Sequence, residues 1–156
     1  MTVASRALRG ALAGLAGGIT WLIGIALVFG PAQAVLTNPD YQSAKMIAAF
    51  AEAPSPPRAF ESPGLVVAGL LGIGVLWGCV FAWLASSWQG SWTGRGLRFG
   101  AVSWALMVPW FEFYLPWNVL REPAALVLLE MACWALVLIP VGLAISGVEA
   151  LLRPRS

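Results

Sequence analysis

The chain has 156 residues, 60% of them hydrophobic and 10% charged, with a net charge of +2. A soluble domain carries about 25% charged residues, so a chain this small has too few charges to coat a water-facing surface, and a membrane protein with short loops is the class that fits. The absence of histidine removes His metal and haem ligation and a His general base, and the lack of any Lys/Arg cluster argues against nucleic acid.

Four segments approach the ~20 apolar residues that a membrane helix needs: about Ala7–Phe29, Leu65–Trp88, Leu97–Trp117 and Ala124–Ile145. The last can continue as a helix to Leu152. No segment alternates as a barrel strand would. The expected fold is therefore an all-α membrane protein, a single domain forming a four-transmembrane-helix antiparallel bundle.

The first span follows Arg6 and Arg9 and carries Gly10, Gly14 and Gly18, each four residues apart. Its end, Ala32-Gln33-Ala34, resembles a signal-peptidase site. The apolar run is longer than the usual 7–15 residues of a signal core and bears a packing pattern, so a retained helix is the expectation. The second span holds Gly74, Gly78 and Ala82 in the same four-residue register, with Gly64, Ala68 and Gly72 as a second row. Small residues at this spacing let helix backbones approach closely in lipid. Their partner is another span of this chain, a second copy, or another membrane protein.

Between these spans lies a loop, residues 30–64. Asn38-Pro39-Asp40 reads as a helix start, with a capping side chain, a proline in the first turn and an acid at the positive dipole end. A short amphipathic interfacial helix up to Glu52 is expected, ending before Pro54-Ser55-Pro56-Pro57. The cysteines, Cys79 and Cys133, stand singly in different apolar segments. No Cys-x-x-Cys pair exists for thiol–disulfide chemistry, and both read as small buried hydrophobes.

Basic residues orient the bundle. With the N-terminus in the cytoplasm, that side holds Arg6, Arg9, Arg95, Arg98, Arg153 and Arg155, six against Lys45, Arg58 and Arg121 opposite. Both termini are expected in the cytoplasm, with the chain in a bacterial inner membrane. Among nine tryptophans, Trp88 and Trp92 fall near the inner boundary, and Trp110 and Trp117, with Tyr114, near the outer one. That is the interfacial position amphipathic rings favour.

The chemistry concentrates in Glu112 and Glu130. A carboxylate in hydrocarbon costs several kcal/mol unless neutralised, paired or hydrated. At 1.5 Å per residue both would lie ~7–10 Å below the outer interface, on antiparallel neighbours joined by a short turn. Three outcomes follow: the carboxyl groups adjoin and share a proton, a cation such as Arg121, Lys45 or Arg58 pairs with them, or they face a hydrated cavity. Candidates for a ligand or ion pocket are Glu112, Glu130, Tyr114, Arg121 and Trp110. Glu122 and Glu149 read as interfacial residues needing no special account.

The stretch FEFYLPWNVLREP followed by LVLLEMACW resembles the third and fourth spans of small uncharacterised bacterial four-helix integral membrane proteins. The resemblance implies architecture and no activity. With no nucleophile–base pair, phosphate-binding glycine loop or metal-ligand cluster in the sequence, a catalytic residue, metal or cofactor is not expected. The favoured expectation is a non-enzymatic accessory or scaffold component packing through its small-residue faces, with membrane lipids, a second copy or another membrane protein as partners. The alternative is a small transporter or binding protein for a proton-coupled or cationic solute, using Glu112 and Glu130.

Overall fold

A computed structural model describes residues 3–50 and 61–153. Among the described residues every regular element is helical. Helix α1 (Val3–Gly24) passes through a π-helical segment (Ile25–Phe29) directly into α2 (Gly30–Leu36). A short α3 (Ala44–Phe50) and α4 (Pro63–Leu84) follow. Helix α5 (Trp92–Glu112) runs into a second π-helical segment (Phe113–Val119), and α6 (Ala124–Leu151) closes the chain.

Three helical stretches are long and apolar enough to cross a membrane: Ser5–Leu36, Pro63–Leu84 and Ala124–Leu151. Most of their side chains point away from the protein, as Leu12, Ile19, Ile23 and Leu27 of the first stretch do, which suits lipid as the surrounding medium. The expected third span is helical but is not among these three. Its helix, α5, includes Arg95, Arg98, Glu112 and three glycines, which dilute its apolar character.

The first span also differs from expectation in length. Its helix continues through Ala32–Ala34 to Leu36, so the loop begins at Thr37 rather than Gly30. Pro31 directly follows the π-helical segment, and its missing N–H coincides with this break in regular α-helical bonding. The resulting 32-residue rod is about 48 Å long at 1.5 Å per residue, well over a ~30 Å hydrocarbon core.

The interfacial helix starts later than expected. Asn38 closes an Asx turn, its Oδ1 accepting from the Asp40 N–H at 3.0 Å. The cap of α3 is Ser43, whose Oγ accepts from the Met46 N–H at 3.0 Å. The same hydroxyl donates to the Leu120 carbonyl at 2.5 Å, and Lys45 Nζ donates to the Val119 carbonyl at 3.4 Å. These bonds tie α3 to the turn between α5 and α6. Glu52, the proline stretch 54–57 and Arg58 lie outside the described residues.

Glycine contacts determine the helix order. A Cβ on Gly10 would lie 2.8 Å from the Gly78 carbonyl, one on Gly14 would lie 2.7 Å from Val75 Cα, and one on Gly18 would lie 3.1 Å from Leu71 Cα. Rising numbers on α1 meet falling numbers on α4, so the two are antiparallel, with backbones in direct contact. Ala82 is buried in this seam, its Cβ close to Gly10. The expected second row differs: Gly64 and Gly72 have open space around them.

A second glycine seam joins α5 to α6. A Cβ on Gly96 would lie 2.9 Å from the Gly142 carbonyl, and one on Gly100 would lie 2.8 Å from the Leu138 carbonyl. Trp104 Nε1 donates to the Met131 carbonyl at 2.9 Å across the same interface. Helix α1 lies on α6 as well, with Gly17 against Ile145 and Gly24 against Val137. Aromatic rings instead bridge α4 and α5, where Phe81 and Trp77 meet Phe99 at 5.3 and 6.1 Å. The termini and the 85–91 turn share one end of the bundle. Helix α3 and the 113–123 turn share the other.

Candidate functional site

Glu112 ends α5 and is 1% exposed. Glu130, in the second turn of α6, is half-buried. The antiparallel glycine seam sets the two helices at matching height, and the two carboxyl groups come within side-chain hydrogen-bonding contact, with Trp134 also reaching Glu112. A hydrogen bond between two carboxyl groups requires a proton on at least one of them, so the joined pair carries at most one negative charge. The Oε2 atom of Glu112 is buried with no hydrogen-bond partner.

A third carboxylate belongs to this end of the bundle. Glu122 is 2% exposed, and neither of its oxygens has a partner. This corrects the expectation that Glu122 needs no special account. The preceding Arg121 adopts a left-handed backbone conformation, φ 58°, and is itself exposed while Glu122 is buried. The Glu122 N–H donates to the Pro116 carbonyl at 2.9 Å, fixing the turn. Burial, and after it the charge of Glu130, pushes the Glu122 carboxyl up to about 7 from the ordinary 4.5. Nothing in the local sequence pattern announces this inward placement, because it depends on a positive φ at a residue that rarely adopts one.

Of the expected counter-cations, Arg58 lies outside the described residues, and the other two are not paired with the carboxylates. No salt bridge joins Arg121 to Glu112, Glu122 or Glu130 among the described residues, and Lys45 is engaged with Val119. Trp110 and Tyr114 are 67% and 53% exposed and stack on each other at 5.5 Å on the outside of the bundle. They face away from the carboxylates and border no part of the cavity described next.

That cavity, about 190 Å³, lies where α1 and α5 both rest on α6. Trp21, Trp134 and Phe111 supply aromatic walls and Val108 and Leu138 aliphatic ones; Glu112 also borders it, but the wall is almost wholly apolar. The Trp21 and Trp134 rings stand at 87° with centroids 6.4 Å apart, forming a corner. Phe29, from the first π-helical segment, packs on Trp134 at 4.8 Å and supports it. Trp21 Nε1 is buried without a hydrogen-bond partner. Phe111 and Met107, both about half exposed, form the rim, so the cavity opens sideways between α1 and α5 rather than through an end of the bundle. No protein-family model, curated protein or solved structure matches this chain.

The opposite end of the bundle handles buried charge differently. Glu149, 4% exposed, accepts two hydrogen bonds from Arg153 Nε, both 3.0 Å, and lies 4.0 Å from Arg95. Ser146 Oγ donates to the Trp92 carbonyl at 2.6 Å beside this group. The buried, paired position corrects the expectation that Glu149 needs no special account. Glu149 and Arg153 stand four residues apart at the end of α6, whereas the contact with Arg95 emerges only once α5 and α6 are packed.

Proposed function

We propose that this chain is a non-enzymatic integral membrane protein of four spans, with α5 and its π-helical extension as the third. Both termini lie in the cytoplasm, and the membrane is a bacterial inner membrane. Its function is to bind and exchange a proton or a cationic solute at the Glu112–Glu130 pair, in the outer half of the bilayer. The observation that carries this reading is the burial of Glu112 beside Glu130 with no cationic side chain among the described residues paired to either. An unneutralised charge in that position costs several kcal/mol, so a proton or a bound cation must balance it.

Infrared difference spectroscopy of the reconstituted chain during a pH titration tests this. A protonated-carboxyl band should titrate in the wild type and change in both Glu112→Gln and Glu130→Gln. A band untouched by either substitution would remove the pair from any exchange role.

An accessory or scaffold role through the small-residue faces would need a different surface. Gly10, Gly14, Gly18, Gly74 and Gly78 are filled by helix contacts inside the chain, and Gly64, Gly69 and Gly72 are the uncovered ones.

A further inference from the structure

We infer that Glu122 is the pH-sensitive element of a latch that ties α3 to the turn between α5 and α6, and that the latch loosens when this carboxyl group ionises. The inference concerns the outer end of the bundle and does not rest on exchange at the Glu112–Glu130 pair.

The latch consists of two bonds from one short helix to one turn. Ser43 Oγ, the cap of α3, donates to the Leu120 carbonyl at 2.5 Å, and Lys45 Nζ donates to the Val119 carbonyl at 3.4 Å. Helix α3 has seven residues, too few to hold a helix unaided, so its order depends on what it is tied to. The two accepting carbonyls directly precede Arg121, where a φ of 58° turns the chain so that Arg121 is exposed and Glu122 buried. The Glu122 N–H closes the turn on the Pro116 carbonyl at 2.9 Å. One stretch of backbone therefore sets both the burial of Glu122 and the position of the carbonyls that hold α3.

That burial suits only the neutral acid. Glu122 is 2% exposed and neither of its oxygens has a hydrogen-bond partner, so an ionised group there would have neither water nor a donor. The charged groups that bear on it are Glu130 from α6 and Glu112 from α5, both of which repel a further negative charge. Of the nearby cations, Lys45 of α3 is engaged with Val119 and Arg121 is exposed. Rotation about Arg121 is the local way out for an ionised Glu122. A non-glycine residue disfavours the left-handed conformation held there, so the rotation also relieves strain, and it carries the Val119 and Leu120 carbonyls away from α3. The closed turn holds the carboxyl at about 7 against an ordinary 4.5. Closure is therefore strongest below about pH 4.5, weakens as pH rises, and levels off above about 7 after a loss of about 300-fold.

Hydrogen exchange of the full chain in lipid nanodiscs, with each rate divided by the intrinsic amide rate at that pH, tests the latch. In the wild type the protection of residues 44–50 should fall at least tenfold between pH 5 and 8, while residues 133–146 of α6 stay unexchanged at both. Glu122→Gln, neutral throughout, should abolish the fall. Arg121→Gly, which accepts a positive φ readily, should leave α3 better protected at pH 8 than the wild type. Ser43→Ala should leave α3 poorly protected at both pH values. Wild-type protection of α3 that does not change with pH, or a fall shared with α6, would overturn the inference without recourse to a variant. A fall that persists in Glu122→Gln would overturn it by assigning the titration to another group. Should Glu122→Gln fail to fold, Arg121→Gly decides: protection at pH 8 no greater than that of the wild type would overturn the latch.

Discussion

Replacing Glu122 by glutamine should remove a defined part of the pH dependence of stability. In the folded chain this carboxyl titrates at about 7, against 4.5 for an ordinary one, because it is buried and then because Glu130 is charged nearby. A carboxyl group raised on folding binds its proton more tightly in the folded state. Its stabilising contribution is therefore fully present below about pH 4.5 and is lost as pH rises through about 7. A gap of about 2.5 pH units at ~1.4 kcal/mol per unit corresponds to about 3 kcal/mol. Almost complete burial, 2% exposed with both oxygens unpartnered, leaves little solvent screening to reduce that figure. The full chain in mild detergent should therefore lose about 3 kcal/mol more between pH 4.5 and 8.5 than Glu122→Gln does, measured as unfolding midpoints across the range. Glu112 and Glu130 remain in both proteins, so the difference between the two curves isolates Glu122. Parallel curves, or a wild type that gains stability on Glu122 ionisation, would refute the reasoning.

Gly78→Leu and Gly142→Leu should each abolish the folded, monodisperse species on size-exclusion chromatography. At Gly142 a Cβ would lie 2.7 Å from the Gly100 nitrogen, and at Gly78 it would meet the backbone of Gly10 and Gly14, neither of which can move aside cheaply. Gly72→Leu, with open space around it, is the control and should fold. Glu149→Gln should cost several kcal/mol, since it leaves buried Arg95 without its counter-charge. Arg153→Gln should cost less, as that side chain is 42% exposed. Equal losses in a thermal melt would contradict this ranking.

The helices were legible because lipid imposes length and apolarity, and both are written along the chain. The α1–α4 glycine row was visible for the same kind of reason: Gly10, Gly14 and Gly18 repeat every four residues without interruption. Gly96, Gly100 and Gly142 form an equally tight seam, yet their spacing lies across two helices and lacks a long run in either. The height of Glu112 and Glu130 followed from counting residues to the 118–123 turn, whereas their rotation toward each other depends on that second seam. Glu122 was hidden for a local reason, the left-handed conformation of Arg121. Asn38 misled because Asn-Pro-Asp suits an Asx turn as well as a helix cap, and Ser43, bonded to both Met46 and Leu120, took the capping role.

The two ends of the bundle solve the same electrostatic problem in opposite ways, and the contrast bears on what the carboxylates do. At the termini end one buried glutamate has two arginines, one of them donating to both carboxylate oxygens. That arrangement satisfies the charge within the chain and needs nothing further. At the α3 end three carboxyl groups, Glu112, Glu122 and Glu130, gather with no arginine or lysine paired to them among the described residues. A purely structural role is hard to reconcile with that end, because apolar residues of similar volume would fill the space without the desolvation cost. Nor is the basic residue missing from the local sequence: Arg121 adjoins Glu122, yet the backbone turns it outward. With Arg121 turned away, no cation among the described residues neutralises this buried cluster, which favours a proton or a ligand as the balancing charge.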